Sequence, residues 1–281
     1  MVRDRGRRLW YGRPMPFDAT ELRRALVTGA SAGIGAAFAH QLAAEGTDLV
    51  LVARNAERLD AIAQALQAEH GIEVRVLRAD LTTAEGRRLV GDAAADDDRL
   101  DLLVNNAGFG TAGRFATLDA DAEEREIQLN VLALVRLTRA ALPGMLARGG
   151  GAIINVSSLA GFQPGPFNAT YGATKAYVNS FSEALAEEVR GSGVRVQVLC
   201  PGFTRTEFQE RAGIDASRVP AFAWMTADEV AAESLRGLRG GSVVFVPGRA
   251  NRATASFTGL LPRWLVTRAL GASAKRFLGV S

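Results

Sequence analysis

Apolar runs alternate with segments of helical periodicity along most of the chain. Seven short runs, several of them rich in β-branched residues, are predicted to be buried strands: 24–27, 48–53, 73–77, 100–104, 153–156, 194–199 and 242–246. Between them, apolar residues recur three and four positions apart, as Leu59, Ile62 and Leu66 do, which is typical of helices. This alternation predicts a single-domain α/β protein with a doubly wound parallel sheet and helices on both faces.

The longest predicted helix spans residues 123–148. Its apolar residues cover more than one stripe, so we expect it to be buried on two sides, by the core and by another subunit. A homodimer or homotetramer is therefore expected. Pro143 should kink this helix near its C-terminal end.

The composition of the chain indicates where the protein works and which kinds of ligand it binds. The 281 residues, 48% of them apolar, suffice for one large core. The single cysteine, Cys200, excludes an internal disulfide, which fits the cytoplasm. No run of eighteen apolar residues and no signal-peptide core is present. His40 and His70 lie far apart in the sequence and do not predict a metal site.

Residues 1–20 lack periodicity and are expected to form a loose extension before the domain at 21–248, which a basic, partly apolar tail follows at 249–281. Net charge is +4 over residues 1–24 and +8 over residues 234–281, which leaves −9 for the remainder of a chain whose total is +3. Nucleic-acid binding is not expected, because no basic helix or aromatic stacking platform accompanies this charge.

A glycine-rich turn follows the first predicted strand. It reads Thr-Gly-Ala-Ser-Ala-Gly-Ile-Gly over residues 28–35 and leads into a helix predicted from about residue 33 to 45. Strand, glycine-rich turn and helix are the context of a dinucleotide-binding turn in a Rossmann-type fold. Glycines let the backbone approach a pyrophosphate, and the helix N-terminus offers free N–H groups. A plain tight turn is the alternative for this segment alone.

The second predicted strand ends at Arg54, where an NAD-binding enzyme usually has an acid that holds both ribose hydroxyls. A guanidinium can instead pair with a 2′-phosphate and stack on adenine. We therefore expect NADP(H) as the cofactor, with NAD(H) less favoured. A solvated charge at a strand end is the alternative.

Residues 153–175 carry the candidate chemistry. An apolar strand ends at Ser157 and Ser158, a loop rich in Gly and Pro follows, and a helical pattern then opens with Tyr171 and Lys175. The four-residue spacing places the phenol and the ammonium on one helix face. A fixed cation lowers the pKa of a phenol, so this group suits proton transfer. A packed Tyr and a solvated Lys are the alternative.

Together these segments resemble the short-chain dehydrogenase/reductase family. The resemblance rests on the turn at 28–35, on Asn-Asn-Ala-Gly at 105–108 and on Tyr-x-x-x-Lys from residue 171, and it covers roughly residues 24–248. The family carries a Ser thirteen residues before the Tyr, which selects Ser158 over Ser157. It implies an NADP-dependent oxidoreductase that interconverts a ketone or aldehyde and its alcohol.

The resemblance implies four catalytic residues. Tyr171 would be the general acid in reduction and the general base in oxidation, while Ser158 would hold the carbonyl oxygen. Lys175 would lower the pKa of Tyr171 and bind the nicotinamide ribose. Asn130 would order a water molecule that links Lys175 to solvent, and a satisfied core asparagine is the alternative for this residue.

The resemblance also implies a set of cofactor-binding residues. They are Gly29, Ser31, Gly33, Ile34, Gly35, Arg54, Asp80, Leu81, Asn106, Ala107, Gly108, Tyr171, Lys175, Pro201, Gly202, Thr204 and Thr206. Asp80 would accept a hydrogen bond from the adenine amino group, or act as an N-cap. The Asn-Asn-Ala-Gly segment would mainly brace the sheet, with Asn105 and Ala107 near the ribose. Thr206 would meet the nicotinamide carboxamide, with Thr204 as its competitor.

Two later segments bear on the substrate. Residues 207–225 include aromatic residues without clear periodicity, and we interpret them as a lid with an apolar inner face or as ordinary core filling. An apolar lid predicts an apolar substrate. The tail is interpreted as a helix over the substrate mouth or a subunit interface, in preference to a basic segment that rests on anionic lipid.

Two other classes of function stay open. One is a non-enzymatic NADP(H)-sensing or scaffold protein, since a fold does not determine a function. The other is a lyase or epimerase that uses bound NADP transiently. The intact set of Asn130, Ser158, Tyr171 and Lys175 argues against the first, and net consumption of NADPH would separate the second from a reductase.

Overall fold

The computed structural model describes residues 21–213 and 219–278. The strands are β1 (Arg24–Thr28), β2 (Asp48–Ala53), β3 (Val74–Arg78), β4 (Leu100–Asn105), β5 (Gly151–Val156), β6 (Val194–Leu199), β7 (Thr204–Arg205), β8 (Met225–Thr226) and β9 (Val244–Phe245). The helices are α1 (Gly33–Ala44), α2 (Ala56–His70), α3 (Ala84–Ala95), α4 (Ala120–Ile127), α5 (Leu134–Arg148), α6 (Ala169–Glu188), α7 (Phe208–Arg211), α8 (Ala227–Arg239), α9 (Arg249–Leu260) and α10 (Arg263–Leu278). The predicted loose extension at 1–20 lies outside the described residues, as do positions 214–218 of the predicted lid.

Seven parallel strands form the central sheet in the order β3-β2-β1-β4-β5-β6-β9. The chain builds outward from β1 to β3 and then returns to pair β4 with the other side of β1. The strand order therefore reverses between β1 and β4, and the crevice at their carboxyl ends is where such sheets bind ligands. This topology confirms the predicted doubly wound Rossmann-type fold.

Helices cover both faces of the sheet because each strand sends alternate side chains into two cores. From β1, Ala25 and Val27 pack with Phe38 of α1 and with residues of α2 and α8. The intervening Leu26 packs on the opposite face, with Leu137 of α5 and residues of α3 and α6. Burial on both faces explains why the strands read as continuous apolar runs.

Most element boundaries lie within two residues of the sequence prediction, and β9 and the long helix depart further. β2 and β6 occupy the predicted residues. β9 is only two residues long instead of spanning 242–246, because only Val244 and Phe245 pair with β6. The predicted helix at 123–148 starts at Ala120, and a π-helical turn, Gln128–Ala133, joins α4 to α5.

The long helix from α4 to α5 has an apolar side in the core and another at the surface. Leu137 and Met145 are buried, whereas Ile127 and Leu132 are each 45% exposed. An 18-residue stretch of the 29-residue helix from Ala120 to Arg148 has a mean hydropathy of 1.3, so this helix meets the length and composition of a membrane span. A core helix satisfies the same criterion, and the buried side of this one packs beside the sheet.

The tail is helical and lies next to two loops. Gln163 Nε2 donates a hydrogen bond of 3.3 Å to the carbonyl oxygen of Thr258 in α9. In α10, a Cβ added to Gly271 would lie 3.2 Å from Pro166 Cγ. α9 also contacts residues 221–223, which belong to the predicted lid.

Candidate active site

The glycine-rich turn between β1 and α1 is shaped for a close approach by a ligand. Gly29 and Gly33 have φ angles of +66° and +57°, a region that strongly favours glycine. A Cβ on Gly35 would lie 2.3 Å from the carbonyl oxygen of Gly29, so no larger residue fits there. The N-cap residue of α1, Ala32, makes no side-chain cap, which leaves the first N–H groups available to an anion. The turn therefore fits a dinucleotide pyrophosphate.

The Asn-Asn-Ala-Gly segment after β4 locks this turn in place. Thr28 Oγ1 accepts hydrogen bonds from the backbone N–H groups of Asn106 (2.9 Å) and Ala107 (3.0 Å). Asn106 Nδ2 donates to the carbonyl oxygens of Thr28 at 2.9 Å and Gly29 at 3.3 Å. The predicted bracing role of this segment matches these contacts.

Asn105 departs from its predicted place near the ribose. Its side chain is buried and donates to Thr138 Oγ1 at 3.0 Å and to Asn155 Oδ1 at 2.9 Å. Alternation along β4 explains the difference, because adjacent residues of a strand point to opposite sides. The Asn105 side chain therefore stabilises the core.

Three predicted contacts to the adenosine half of the cofactor, Arg54, Asp80 and Leu81, lie in different surroundings. Arg54 is exposed at the carboxyl end of β2 and forms no ion pair with the residues that the structure describes. Asp80 Oδ1 accepts from Thr82 N at 2.9 Å and from Thr82 Oγ1 at 2.7 Å, forming a turn before α3. The N-cap of α3 is Thr83, so the N-cap alternative for Asp80 is wrong. Leu81 has its side chain buried in the core, which leaves only its backbone for a cofactor.

The Pro-Gly loop after β6 faces the glycine-rich turn through Thr206. A Cβ on Gly33 would lie 3.0 Å from Thr206 Cγ2. Thr204, its predicted competitor, is buried and donates its hydroxyl to the carbonyl oxygen of Gly202 at 3.2 Å. The sequence did not point to Asn251 of α9, whose side chain packs against Gly202, where a Cβ would lie 2.5 Å from Asn251 Oδ1.

Ser158, Tyr171 and Lys175 lie together at the carboxyl end of β5. The Ser158 side chain lies close enough to the Tyr171 phenol to lower the pKa of that phenol. Lys175 Nζ lies 5.6 Å from the centroid of the Tyr171 ring and donates to the carbonyl oxygen of Val156 at 2.9 Å. Ser157 is turned away, because its hydroxyl donates to the carbonyl oxygen of Lys175 at 3.0 Å. Of the two adjacent serines, only Ser158 reaches the phenol.

Burial sets the proton affinities of this group. It raises the pKa of Tyr171 to about 12, against the lowering effect of the Ser158 hydrogen bond. It also lowers the pKa of Lys175 to about 8. The net shift of the Tyr171 pKa is therefore upward, because desolvation of the phenolate outweighs the influences that lower it. At neutral pH, Tyr171 is a phenol and Lys175 is mostly an ammonium ion.

Asn130 lies in the π-helical turn and is held by its own hydrogen bonds. Its Nδ2 donates to the carbonyl oxygen of Phe109 at 2.8 Å and to Thr174 Oγ1 at 3.1 Å, while its Oδ1 accepts from Phe109 N at 3.2 Å. Gly108 lies beside both Asn130 and Lys175, because a Cβ added to it would be 2.9 Å from Asn130 Oδ1 and 3.6 Å from Lys175 Nζ. These contacts match the alternative of a satisfied core asparagine for the side chain.

Two buried acids on α4, which the sequence did not single out, lie beside the same group. Glu126 Oε2 accepts from Thr111 N and Thr111 Oγ1, each at 2.9 Å. Glu123 accepts from Thr111 Oγ1 at 2.5 Å and from Thr170 Oγ1. Acids in the first turns of a helix are ordinarily solvated partners of its dipole, so their type and position gave no signal.

Cys200 follows β6 and lies behind Lys175. It is fully buried, and its Sγ donates to Asn179 Oδ1 at 3.5 Å. Burial raises the pKa of this thiol to about 12, and its charge couples to that of Lys175. Cys200 is thus buried in the wall of the site.

Aromatic residues of the predicted lid reach the site. The Phe208 ring lies 5.4 Å from the Tyr171 ring, centroid to centroid. Phe203 and Trp224 lie 5.5 Å apart, and the Arg205 guanidinium stands 5.3 Å from the Trp224 ring. The described part of the lid therefore presents an apolar face to the phenol.

A dinucleotide turn at the switch point of the sheet and a Ser-Tyr-Lys group beside it define an oxidoreductase that binds a nicotinamide dinucleotide. A family model described as short chain dehydrogenase matches residues 23–216. The chain belongs to the short-chain dehydrogenase/reductase family. It is an NAD(P)-dependent oxidoreductase that acts on CH–OH or C=O groups.

Solved structures and relatives agree with this assignment. A short-chain dehydrogenase from Sphingobium yanoikuyae in complex with NADPH is 39% identical, with a TM-score of 0.78, over 86% of this chain and 96% of that one. The bulky-bulky ketone specific alcohol dehydrogenase from Comamonas testosteroni is 32% identical, with a TM-score of 0.74 and the same coverage. Sulfoacetaldehyde reductase from Chromohalobacter salexigens is 38% identical over 73% of this chain and 83% of that protein.

Proposed function

We propose that the protein is an NADPH-dependent reductase of ketones or aldehydes with apolar substituents, working in the cytoplasm. The observation that carries the proposal is the contact of Ser158, Tyr171 and Lys175 next to the glycine-rich turn. The phenol is protonated at neutral pH, which is the form that a general acid needs for carbonyl reduction. The reverse oxidation uses the same residues at higher pH.

Each residue of the group has a separate task. When bound, NADPH supplies a hydride from nicotinamide C4. The Ser158 hydroxyl holds the carbonyl oxygen, and Tyr171 donates its phenolic proton to that oxygen as negative charge develops. The Lys175 ammonium stabilises the tyrosinate that remains and holds the nicotinamide ribose. Asn130 holds the Phe109 backbone and the Thr174 side chain beside Lys175, and it orders a water molecule that returns the proton.

The preference for NADP(H) over NAD(H) rests on Arg54. Its exposed guanidinium stands at the end of β2 without a competing carboxylate among the described residues. The other residues that would hold the cofactor are Gly29, Ser31, Gly33, Ile34 and Gly35 at the pyrophosphate, Asp80 and Leu81 at adenine, Asn106, Ala107 and Gly108 at the ribose, and Pro201, Gly202, Thr204 and Thr206 at the nicotinamide. The NADPH complex of the Sphingobium relative supports this choice.

The lid favours an apolar, bulky carbonyl compound. Relatives differ in this respect, since one is named for sulfoacetaldehyde and another for bulky ketones. The Phe208 ring beside Tyr171 offers an apolar contact to the substrate. A substrate with two large apolar substituents suits this surface best.

A carbonyl panel tests the proposal through the loss of NADPH absorbance. We expect turnover of bulky apolar ketones, and Tyr171→Phe should bind NADPH with unchanged Kd yet lose nearly all turnover. Turnover retained in Tyr171→Phe would refute the role of the phenol. Substrate conversion without net NADPH consumption would identify a lyase or epimerase, and binding without conversion of any compound would identify a sensor or scaffold.

A further inference from the structure

Glu126 is a carboxyl group with no access to solvent. Its exposed fraction is 0%, and among the described residues its Oε1 is buried without a hydrogen-bond partner. Only Oε2 is satisfied, by the N–H and the hydroxyl of Thr111. An incompletely paired buried carboxylate destabilises a fold, so packing alone does not account for an acid at this position.

The contacts of Glu126 lead directly to the catalytic phenol. Thr111 follows Gly110, which lies so close to the Tyr171 ring that a Cβ there would be 2.7 Å from Tyr171 Cδ2. Glu123, one turn earlier on α4, also binds Thr111 and reaches Thr170, the residue before Tyr171. The two acids thus fasten both backbone segments that enclose the phenol.

The charge of Glu126 acts on both titratable members of the site. Glu123 faces it from α4, Lys175 and Tyr171 face it from α6, and the loop after β4 contributes the neutral Thr111. Its negative charge favours the ammonium form of Lys175 and disfavours the phenolate form of Tyr171. Burial raises the pKa of Glu126 itself to about 7, so its charge changes within the working pH range.

We propose that Glu126 is a positioning residue that holds Lys175 in its ammonium form beside the Tyr171 phenol, and so prepares the site for reduction. The mechanistic part of this inference rests on the proposed function. Its electrostatic part concerns Lys175 alone and is measurable without turnover.

The experiment compares Glu126→Gln with Glu124→Gln, which removes an exposed acid from the same helix. The chain contains two lysines, Lys175 and Lys275, so ¹³Cε-lysine NMR on a Lys275→Arg background follows Lys175 alone. The Lys175 titration should have its midpoint near pH 8 in the parent protein and in Glu124→Gln. In Glu126→Gln it should fall by about one pH unit, because the favourable negative charge is gone.

Turnover supplies the second readout. The alkaline limb of the kcat/KM profile for reduction should move to lower pH by the same amount in Glu126→Gln, with the NADPH Kd unchanged. An unmoved Lys175 midpoint, an unmoved limb, or a loss of activity uniform across pH would overturn the inference. If Glu126→Gln does not fold, Glu126→Asp must keep the parent midpoint while it alters packing. Absence of turnover in the parent protein would contradict the proposed function. The NMR titration would still measure the effect of Glu126 on the pKa of Lys175.

Discussion

Ser157 and Ser158 are neighbours in the sequence with different partners in the fold. The Ser157 hydroxyl donates to the carbonyl oxygen of Lys175, whereas the Ser158 side chain lies beside the Tyr171 phenol and lowers its pKa. The two side chains point in opposite directions because side chains alternate along a strand. A substitution of either serine is therefore a matched control for a substitution of the other.

Ser158→Ala should lower kcat by about 10²- to 10³-fold while leaving the NADPH Kd unchanged, because it removes a donor to the developing oxyanion. Ser157→Ala should instead lower the free energy of unfolding by about 1 kcal/mol, the net contribution of one hydrogen bond. Steady-state kinetics and urea unfolding of both variants measure the two effects. The reverse pattern would show that Ser157 is the catalytic serine.

Arg54 is the residue on which cofactor choice depends. Arg54→Ala should raise the KM for NADPH about 10- to 100-fold, the range expected from losing a charge-assisted contact to a phosphate, and change the KM for NADH little. Arg88→Ala, which removes an exposed arginine of α3 paired with Asp92, is the control. A lower KM for NADH than for NADPH in the parent enzyme would contradict the preference.

At the scale of elements, the lid and α6 meet through one aromatic pair. Phe208→Ala removes the ring that lies 5.4 Å from Tyr171 and should raise the KM for bulky apolar ketones about tenfold, as expected for the loss of roughly 1.4 kcal/mol of contact. The KM for a small aldehyde should change much less. Equal effects on both substrates would show that Phe208 shapes the catalytic group instead of the substrate cavity.

Periodicity predicted the elements well because buried parallel strands and amphipathic helices carry strong, regular signals. The capping box at the start of α8, where Thr226 and Glu229 exchange both hydrogen bonds, is a local signal of the same kind. A one-residue change of hydrogen-bond register, such as the π-helical turn around Asn130, leaves almost no trace in an apolar pattern.

In the predicted site, too, some features follow from the sequence pattern and others do not. Spacing brought Ser158, Tyr171 and Lys175 together correctly, because a strand end and a helix face are local geometry. Spacing did not reveal the direction of the pKa of Tyr171 or the burial of Glu126, since both depend on what the rest of the chain packs around them. Desolvation is a property of the assembled molecule.

At the scale of the whole molecule, the tail has an apolar surface that the described residues leave exposed. Phe257, Leu260 and Trp264, at the junction of α9 and α10, are 63%, 85% and 68% exposed. We propose, in line with the sequence, that a second subunit covers this surface in a homodimer or homotetramer. The exposed apolar side of the long helix offers a second contact.

Replacing Leu260 and Trp264 together by Ser should shift the protein toward smaller species in sedimentation velocity, because apolar burial at the interface is lost. The full chain and a version lacking residues 256–281 should behave alike in flotation with anionic vesicles. Flotation of the full chain alone would assign this surface to a membrane, since the last 48 residues carry net positive charge.

The single cysteine provides a chemical probe of local opening around the site. A thiol reacts with maleimides as its thiolate, and Cys200 is both enclosed and held in its neutral form. Labelling therefore occurs only in molecules in which the structure around Cys200 has opened locally, and the labelling rate reports how often this opening occurs. A bound dinucleotide should lower the alkylation rate of Cys200 in proportion to its occupancy of the site. The alkylation rate therefore measures the affinity of cofactors and inhibitors without a known substrate.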